Sequence, residues 1–454
     1  MAYLPNSDDD RRAMLATLGV DSVDALFTSV PESLRNPQIE LSPALGEQEL
    51  VAELERLAAR NRPLSSYDNF LGAGVYRRFS PAIVRATVSR PEFFTAYTPY
   101  QAEASQGTLQ TIFEFQSMIA ALTGLDVANA SLYDGATAAA EAMVLAVGAN
   151  GRDRVLVAGD VHPETLRVLR TFAQGRRIGL DVVDAPGGAL SPDAIAAAVR
   201  DVHAAVLVQQ PTFFGTVADL APVVRAAHDA GALALCSTDL FASALITPPG
   251  EMGFDVAIGD GQPLGIPASF GGPHVGFMAV RTSLMRRIPG RLAGITVDAD
   301  GRRAFTLTLQ AREQHIRREH ATSNICTNHA LIALAATTYM AHMGAGGMRA
   351  LAELSTRRAH HLAEQLTAIE GFGLAQPDQP FLWEFALRCP GDAEEVEAEL
   401  RREGILAGLP LGRIDSSLGD QLLVCCTETS TPDAIAHYVS AARRLARTPA
   451  GARA

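Results

Sequence analysis

The chain has 454 residues, 48% of them hydrophobic, with 38 basic and 50 acidic side chains and a formal net charge of −12. That length and apolar content predict one large and one smaller buried core and exclude a disordered chain. The acidic balance excludes a general binder of nucleic-acid backbones.

The first 60 or so residues are helical in pattern. NSDDDRRAMLATLG offers a polar N-cap, acidic first-turn residues and a glycine stop, so residues 1–80 are expected to form an N-terminal helical arm. Residues 80–107 lead into TLQTIFEFQSMIAALTG, where Leu109, Ile112, Phe113, Gln116, Ile119 and Leu122 follow a helical repeat that Gly124 ends. RVLVAG (154–159), AAVLVQQP (204–211) and ALALCSTD (232–239) read as buried strands. Between them lie SPDAIAAAVRDVH, with Ser191 as N-cap and Pro192 at N1, and DLAPVVRAAHDAG. Alternation of this kind predicts right-handed crossovers, a mostly parallel sheet over residues 81–330, and ligands at the carboxyl ends of its strands.

DVAIGDGQPLGIPASFGGPHVGF (255–277) reads as strand, polar loop, strand, its GGPHVG run allowing close backbone approach. A long Ala-rich helix, broken at GAGG, follows residue 330. FLWEFALRC and QLLVCCTET then read as strands, and DAEEVEAELRREG and TPDAIAHYVSAARRLA as helices, giving a small α+β domain over 331–454 with a loose RTPAGARA end. No uncharged run is long enough to span a bilayer, and the opening MAYLPNSDDDRRAML has no basic-then-apolar leader. A cytoplasmic protein is expected, with no membrane and no nucleic acid among its partners.

All 38 basic side chains are arginine. Average usage would supply roughly two dozen lysines in a chain this long. Arginine stays protonated, so no side chain here can become the neutral primary amine that condenses with an aldehyde. The five cysteines (Cys236, Cys326, Cys389, Cys425 and Cys426) have no CxxC spacing and are expected as buried reduced thiols. His315 and His320, five apart, do not share a helix face, and neither G-x-S-x-G nor HExxH occurs; no metal site is expected.

Three long runs carry a family resemblance: residues 97–142 (YTPYQAEASQG through GATAAAEA), 259–281 (GDGQPLGIPASFGGPHVGFMAVR) and 301–331 (GRRAFTLTLQAREQHIRREHATSNICTNHAL). They resemble the P-protein of the glycine cleavage system, and within that family the N-terminal chain of the form split over two polypeptides. The resemblance implies an α/β, pyridoxal-phosphate (PLP) transferase, fold type I-like architecture with a smaller C-terminal α+β domain. It also implies a division of labour. A lysine-bearing companion, subunit 2, would hold PLP in an α2β2 assembly and decarboxylate glycine. The aminomethyl group would pass to the lipoyl arm of H-protein, and this chain would bind no cofactor and be inert alone.

On this resemblance no residue of this chain alone is catalytic. Tyr97, Thr98, Tyr100 and Gln101, with Thr322, Ser323 and Asn324, are candidates for the subunit interface and substrate tunnel. Asp134, Gly135, Thr137, Asp239 and Gln262 mark a vestigial cofactor pocket. Gln262 lies in the loop where such enzymes carry the Schiff-base lysine, and Asp239 stands where the pyridinium partner is placed. Asp134 is expected to cap the following helix and so take the donors a phosphate would need. His320 departs from the family, which has a lysine there, and no role is carried over to it. The alternative is a stand-alone regulatory or binding protein that kept the scaffold after losing the lysine.

Overall fold

A computed structural model describes residues 5–35 and 37–447, and the chain divides into two compact units, Met1–Pro63 and Leu64–Ala454. The first unit holds helices α1 (Asp8–Leu18) and α2 (Glu47–Ala58). The polar N-cap of α1 is Ser7, which forms a reciprocal pair with Asp10, the Asp10 N–H donating to Ser7 Oγ at 3.2 Å and the Ser7 N–H to Asp10 Oδ2 at 2.9 Å. Gly19 ends α1 with φ 67°. In α2, Leu50, Leu54 and Leu57 fall on one face and are exposed.

Residues 64–80, assigned above to the arm, fall within the second unit. Asp68–Asn69 pairs in parallel with Ile405–Leu406, and Phe70 is buried against Tyr438. That fixes the segment to the C-terminal region by backbone hydrogen bonds which sequence periodicity cannot announce.

The main sheet has seven strands: β1 (Val127–Ala128), β2 (Arg154–Ala158), β3 (Gly179–Val183), β4 (His203–Gln210), β5 (Leu233–Thr238), β6 (Val256–Asp260) and β7 (Gly276–Val280). Their order is β1-β7-β6-β5-β4-β2-β3. Strands β2 to β6 run parallel, and β7 is antiparallel to both neighbours. The central strands are apolar on both faces because helices cover both.

Helix α3 (Gln106–Thr123) ends at Gly124, and α4 (Gly135–Asn150) buries every residue from Ala138 to Ala146. Small alanine side chains let this helix sit close to the sheet. Helices α5 (Pro163–Arg176), α6 (Pro192–Ala198) and α7 (Ala221–Asp229) complete the crossovers, α6 capped by Ser191 as its sequence predicts. A hairpin follows, β8 (Leu292–Val297) with β9 (Arg303–Thr308).

Helix α8 (Ala330–Thr367) kinks at Gly344, where φ is 60°. It leads to a four-stranded antiparallel sheet of β10 (Gly373–Leu374), β11 (Glu384–Arg388), β12 (Leu409–Pro410) and β13 (Gln421–Cys425), in the order β10-β11-β13-β12. Helix α9 (Ala393–Arg402) packs on it, and α10 (Pro432–Arg447) packs against α8 and α9. One hydrophobic cluster joins Phe115 and Phe277 of the main sheet region to Tyr339, Trp383 and Tyr438.

All five cysteines are free. Four are buried, but Cys326 is exposed, which corrects the expectation for that thiol: it lies in an irregular stretch before α8. Among the described residues, no helix is long and apolar enough to cross a membrane. Of the RTPAGARA end, residues 448–454 lie outside the described residues.

Candidate functional site

The carboxyl ends of β4, β5 and β6 meet the N-terminus of α4 at a cleft of about 490 Å³. The crossover topology puts it there: parallel strands aim their loops at one edge, and the helix after β1 starts beside them. Asp134, in extended conformation, accepts the Thr137 N–H at 2.7 Å through Oδ1, so the predicted cap is formed. A second carboxylate reaches the same helix end. Asp260 Oδ2 accepts the Gly135 N–H at 3.0 Å, and its Oδ1 accepts the Gln262 N–H at 2.8 Å. His274 Nδ1 lies 3.4 Å from Asp260 Oδ2, and this carboxylate raises the imidazole pKa. Asp260 is thus a tethered anion resting on a helix N-terminus and an imidazole.

Two glycines make this approach possible. A Cβ on Gly135 would stand 2.9 Å from the Asp260 nitrogen, and one on Gly276, in the GGPHVG run, would overlap the Asp134 main-chain oxygen.

Gln262 is 1% exposed and fully used. Its Oε1 accepts the Tyr76 N–H at 2.8 Å, and its Nε2 donates to Tyr76 O at 2.9 Å and Ile266 O at 2.7 Å. Asp239 accepts the Phe241 N–H at 2.8 Å through Oδ1, while Oδ2 is buried with no hydrogen-bond partner. Burial raises the Asp239 pKa, opposed by the charge of Arg78. Arg78 pairs with Glu428 at 2.8 Å and lies over the Phe241 ring at 3.8 Å.

Glu384, 3% exposed, accepts the Ala73 N–H at 2.6 Å and the Tyr76 hydroxyl at 2.8 Å; burial pushes its pKa up to about 7. His162 donates from Nε2 to Ala73 O at 3.0 Å and accepts the Glu164 N–H at Nδ1, a pairing that fixes one neutral tautomer. Burial lowers its pKa, in agreement with that tautomer.

This donor set does not fit PLP. The chain has no lysine to hold the aldehyde, and Gln262 is locked to main chain. Two carboxylates occupy the helix end where a phosphate would sit. Among the described residues, the cleft is lined by Asp134, Glu164, Asp239, Asp260 and Glu384 and by no arginine. A phosphate dianion entering it would meet net repulsion.

The other candidates lie outside the cleft lining. Tyr97 is 85% and Tyr100 61% exposed, Gln101 is exposed, and Thr98 is half-buried. Thr322 is half-buried, Ser323 buried and Asn324 exposed. Ser323 Oγ accepts the Ile325 N–H at 3.1 Å, and burial raises the pKa of Glu141 on α4, opposed by the Ser323 hydroxyl.

Arg291 links the two segments. It is 4% exposed, donates from Nη2 to Cys326 O at 2.8 Å, and stands 3.4 Å from the Tyr100 hydroxyl, its guanidinium 5.6 Å from that ring. Sequence reading missed Arg291, Asp260, His162, His274 and Glu384. Asp260 alone left a signal, an acidic residue closing a strand in the glycine-flanked GDGQ loop.

The fold is that of fold type I PLP-dependent enzymes. It superposes on a glutamate decarboxylase from Lactobacillus brevis with TM-score 0.66 at 14% identity, over 92% of this chain and 97% of that one. Residues 1–441 match the family model described as glycine cleavage system P-protein. A probable glycine dehydrogenase (decarboxylating) subunit 1 from Thermomicrobium roseum is 47% identical over 445 residues, 98% of this chain and 99% of that protein. The protein of the same description from Shouchella clausii is 46% identical, over 95% of this chain and 96% of that one. A crystal structure of glycine decarboxylase (P-protein) of the glycine cleavage system, in inhibitor-bound form, matches with TM-score 0.88 at 42% identity, over 98% of this chain and 100% of that one. The chain belongs to the glycine cleavage system P-protein family.

Proposed function

We propose that this chain is the non-cofactor-binding subunit of a cytoplasmic glycine decarboxylase. A lysine-bearing companion subunit holds PLP in an α2β2 assembly, and that cofactor supplies the electron sink for loss of CO2 from glycine. The aminomethyl group then passes to the lipoyl arm of H-protein. The observation that carries this reading is Gln262, whose amide is committed to Tyr76 and Ile266 in a loop that would otherwise present the lysine.

In this reading Asp134, Gly135, Thr137, Asp239 and Gln262 are remnants of a cofactor pocket turned to structural use. Tyr97, Thr98, Tyr100 and Gln101, with Thr322, Ser323 and Asn324, border the companion's site and exclude water from it. Support comes from the exposure of the two tyrosines and from the arginine that ties both segments together. Reconstitution tests the proposal: the purified chain, the companion and H-protein together should exchange CO2 into glycine. A chain that neither associates with the companion nor alters its turnover would refute it.

A further inference from the structure

Residues 281–320 carry nine arginines against four acidic residues, in a chain whose formal net charge is −12. Part of that charge converges on a second pocket, of about 510 Å³, lined by Arg286, Arg287, Arg312, Arg317 and His320. Its walls are built. Arg312 donates to the carbonyls of Gly290 at 3.0 Å, Leu309 at 3.1 Å and Ile288, tying the turn before β8 to the loop after β9. Arg287 donates to Gly148 O at 2.6 Å. The carboxylate on the lining, Glu313, is buried with Arg291 and His315 each 3.7 Å away, so it does not neutralise the rim. Arg286 and Arg317 are exposed and, among the described residues, have no side-chain partner.

We propose that this arginine-lined pocket docks an acidic protein, a carboxylate of which enters the pocket. On the reading above, which this proposal rests on, that protein is the lipoyl carrier that visits at each turnover. Guanidinium groups recognise carboxylates through paired hydrogen bonds, and Arg286 and Arg317 carry theirs unspent at the rim. The charge extends past one small anion: Arg302, Arg303 and Arg318 are exposed around the same hairpin and loop. The rest of the chain is strongly acidic, so an acidic partner is repelled elsewhere and oriented here. The pocket also adjoins the substrate-side candidates, since Glu313 faces Arg291, which in turn faces Tyr100.

The test uses the assembled complex with Arg286→Glu and Arg317→Glu together. Anisotropy of labelled carrier protein reads docking without turnover, and glycine–CO2 exchange is measured with the carrier and with free lipoamide. The double variant is expected to raise the carrier Kd and KM by about tenfold or more at low salt, to flatten their salt dependence, and to leave exchange with free lipoamide unchanged. Arg286→Lys with Arg317→Lys should keep the salt dependence but recover only part of the docking, because an ammonium keeps the charge without the paired hydrogen bonds. Unchanged carrier Kd would overturn the proposal. So would equal loss with both acceptors, or a stabilisation by inorganic phosphate that the double variant abolishes while the carrier Kd stays the same. Carrier binding that depends on both arginines in a complex with no exchange activity would uphold the docking site and refute the proposed function instead.

Discussion

Replacing Gln262 with alanine removes three hydrogen bonds at once. The Tyr76 N–H, the Tyr76 carbonyl and the Ile266 carbonyl are then left facing a space that was 1% exposed. Each buried main-chain group without a partner costs about 1–3 kcal/mol, so a loss of about 3 kcal/mol or more is expected even if one group finds water. Urea denaturation of the purified chain, followed by tryptophan emission from the single Trp383 in the adjoining core, reads this as a lower midpoint with unchanged slope. Gln262→Glu separates the roles, because a carboxylate can still accept from the Tyr76 N–H but cannot donate to either carbonyl. It should recover none of the loss, because its anion would be buried against two carbonyl oxygens. Stability within about 0.5 kcal/mol of wild type for Gln262→Ala would refute the view that this side chain is structural.

Glu384 titrates about 7 when folded, above its unfolded value, so its contribution to stability is complete below the unfolded pKa and is lost as pH rises towards 7. Wild-type stability should therefore fall between about pH 5 and pH 7, and Glu384→Gln should flatten that slope in denaturation series across pH. Gly276→Ala should prevent the seating of α4 on β7, seen as a large fall in melting temperature or loss of folded protein, since its Cβ would overlap the Asp134 carbonyl. Tyr97→Phe and Tyr100→Phe should lower turnover of the assembled complex with little change in the melting temperature of this chain; wild-type kcat in both would remove that role.

Local chemistry made much of this molecule readable in advance. Ser7, Asp134 and Ser191 cap the helices they precede, and the apolar runs at 154–159, 204–211 and 232–239 became central strands. The edge strand β3, half-buried throughout, and the β8–β9 hairpin, with its exposed Ile295 and Val297, lack the patterns that mark buried strands. In α3 the register was right but Phe115, not Phe113, took the deepest position. The absence of lysine was plain in the sequence, whereas the way the cleft is filled was not. Asp260 reaches Gly135 across 125 residues, and Gln262 reaches Tyr76 across 186. Only the closed fold brings such pairs together.

On the proposed function, this subunit lends surface, not electrophile, to its reaction. Release of labelled CO2 from carboxyl-labelled glycine, with lipoyl carrier present, measures that directly when this chain, its companion and the mixture are assayed side by side. Full activity is expected only in the mixture, with no stoichiometric PLP on this chain. Decarboxylation by this chain alone at the rate of the mixture would contradict the proposed function.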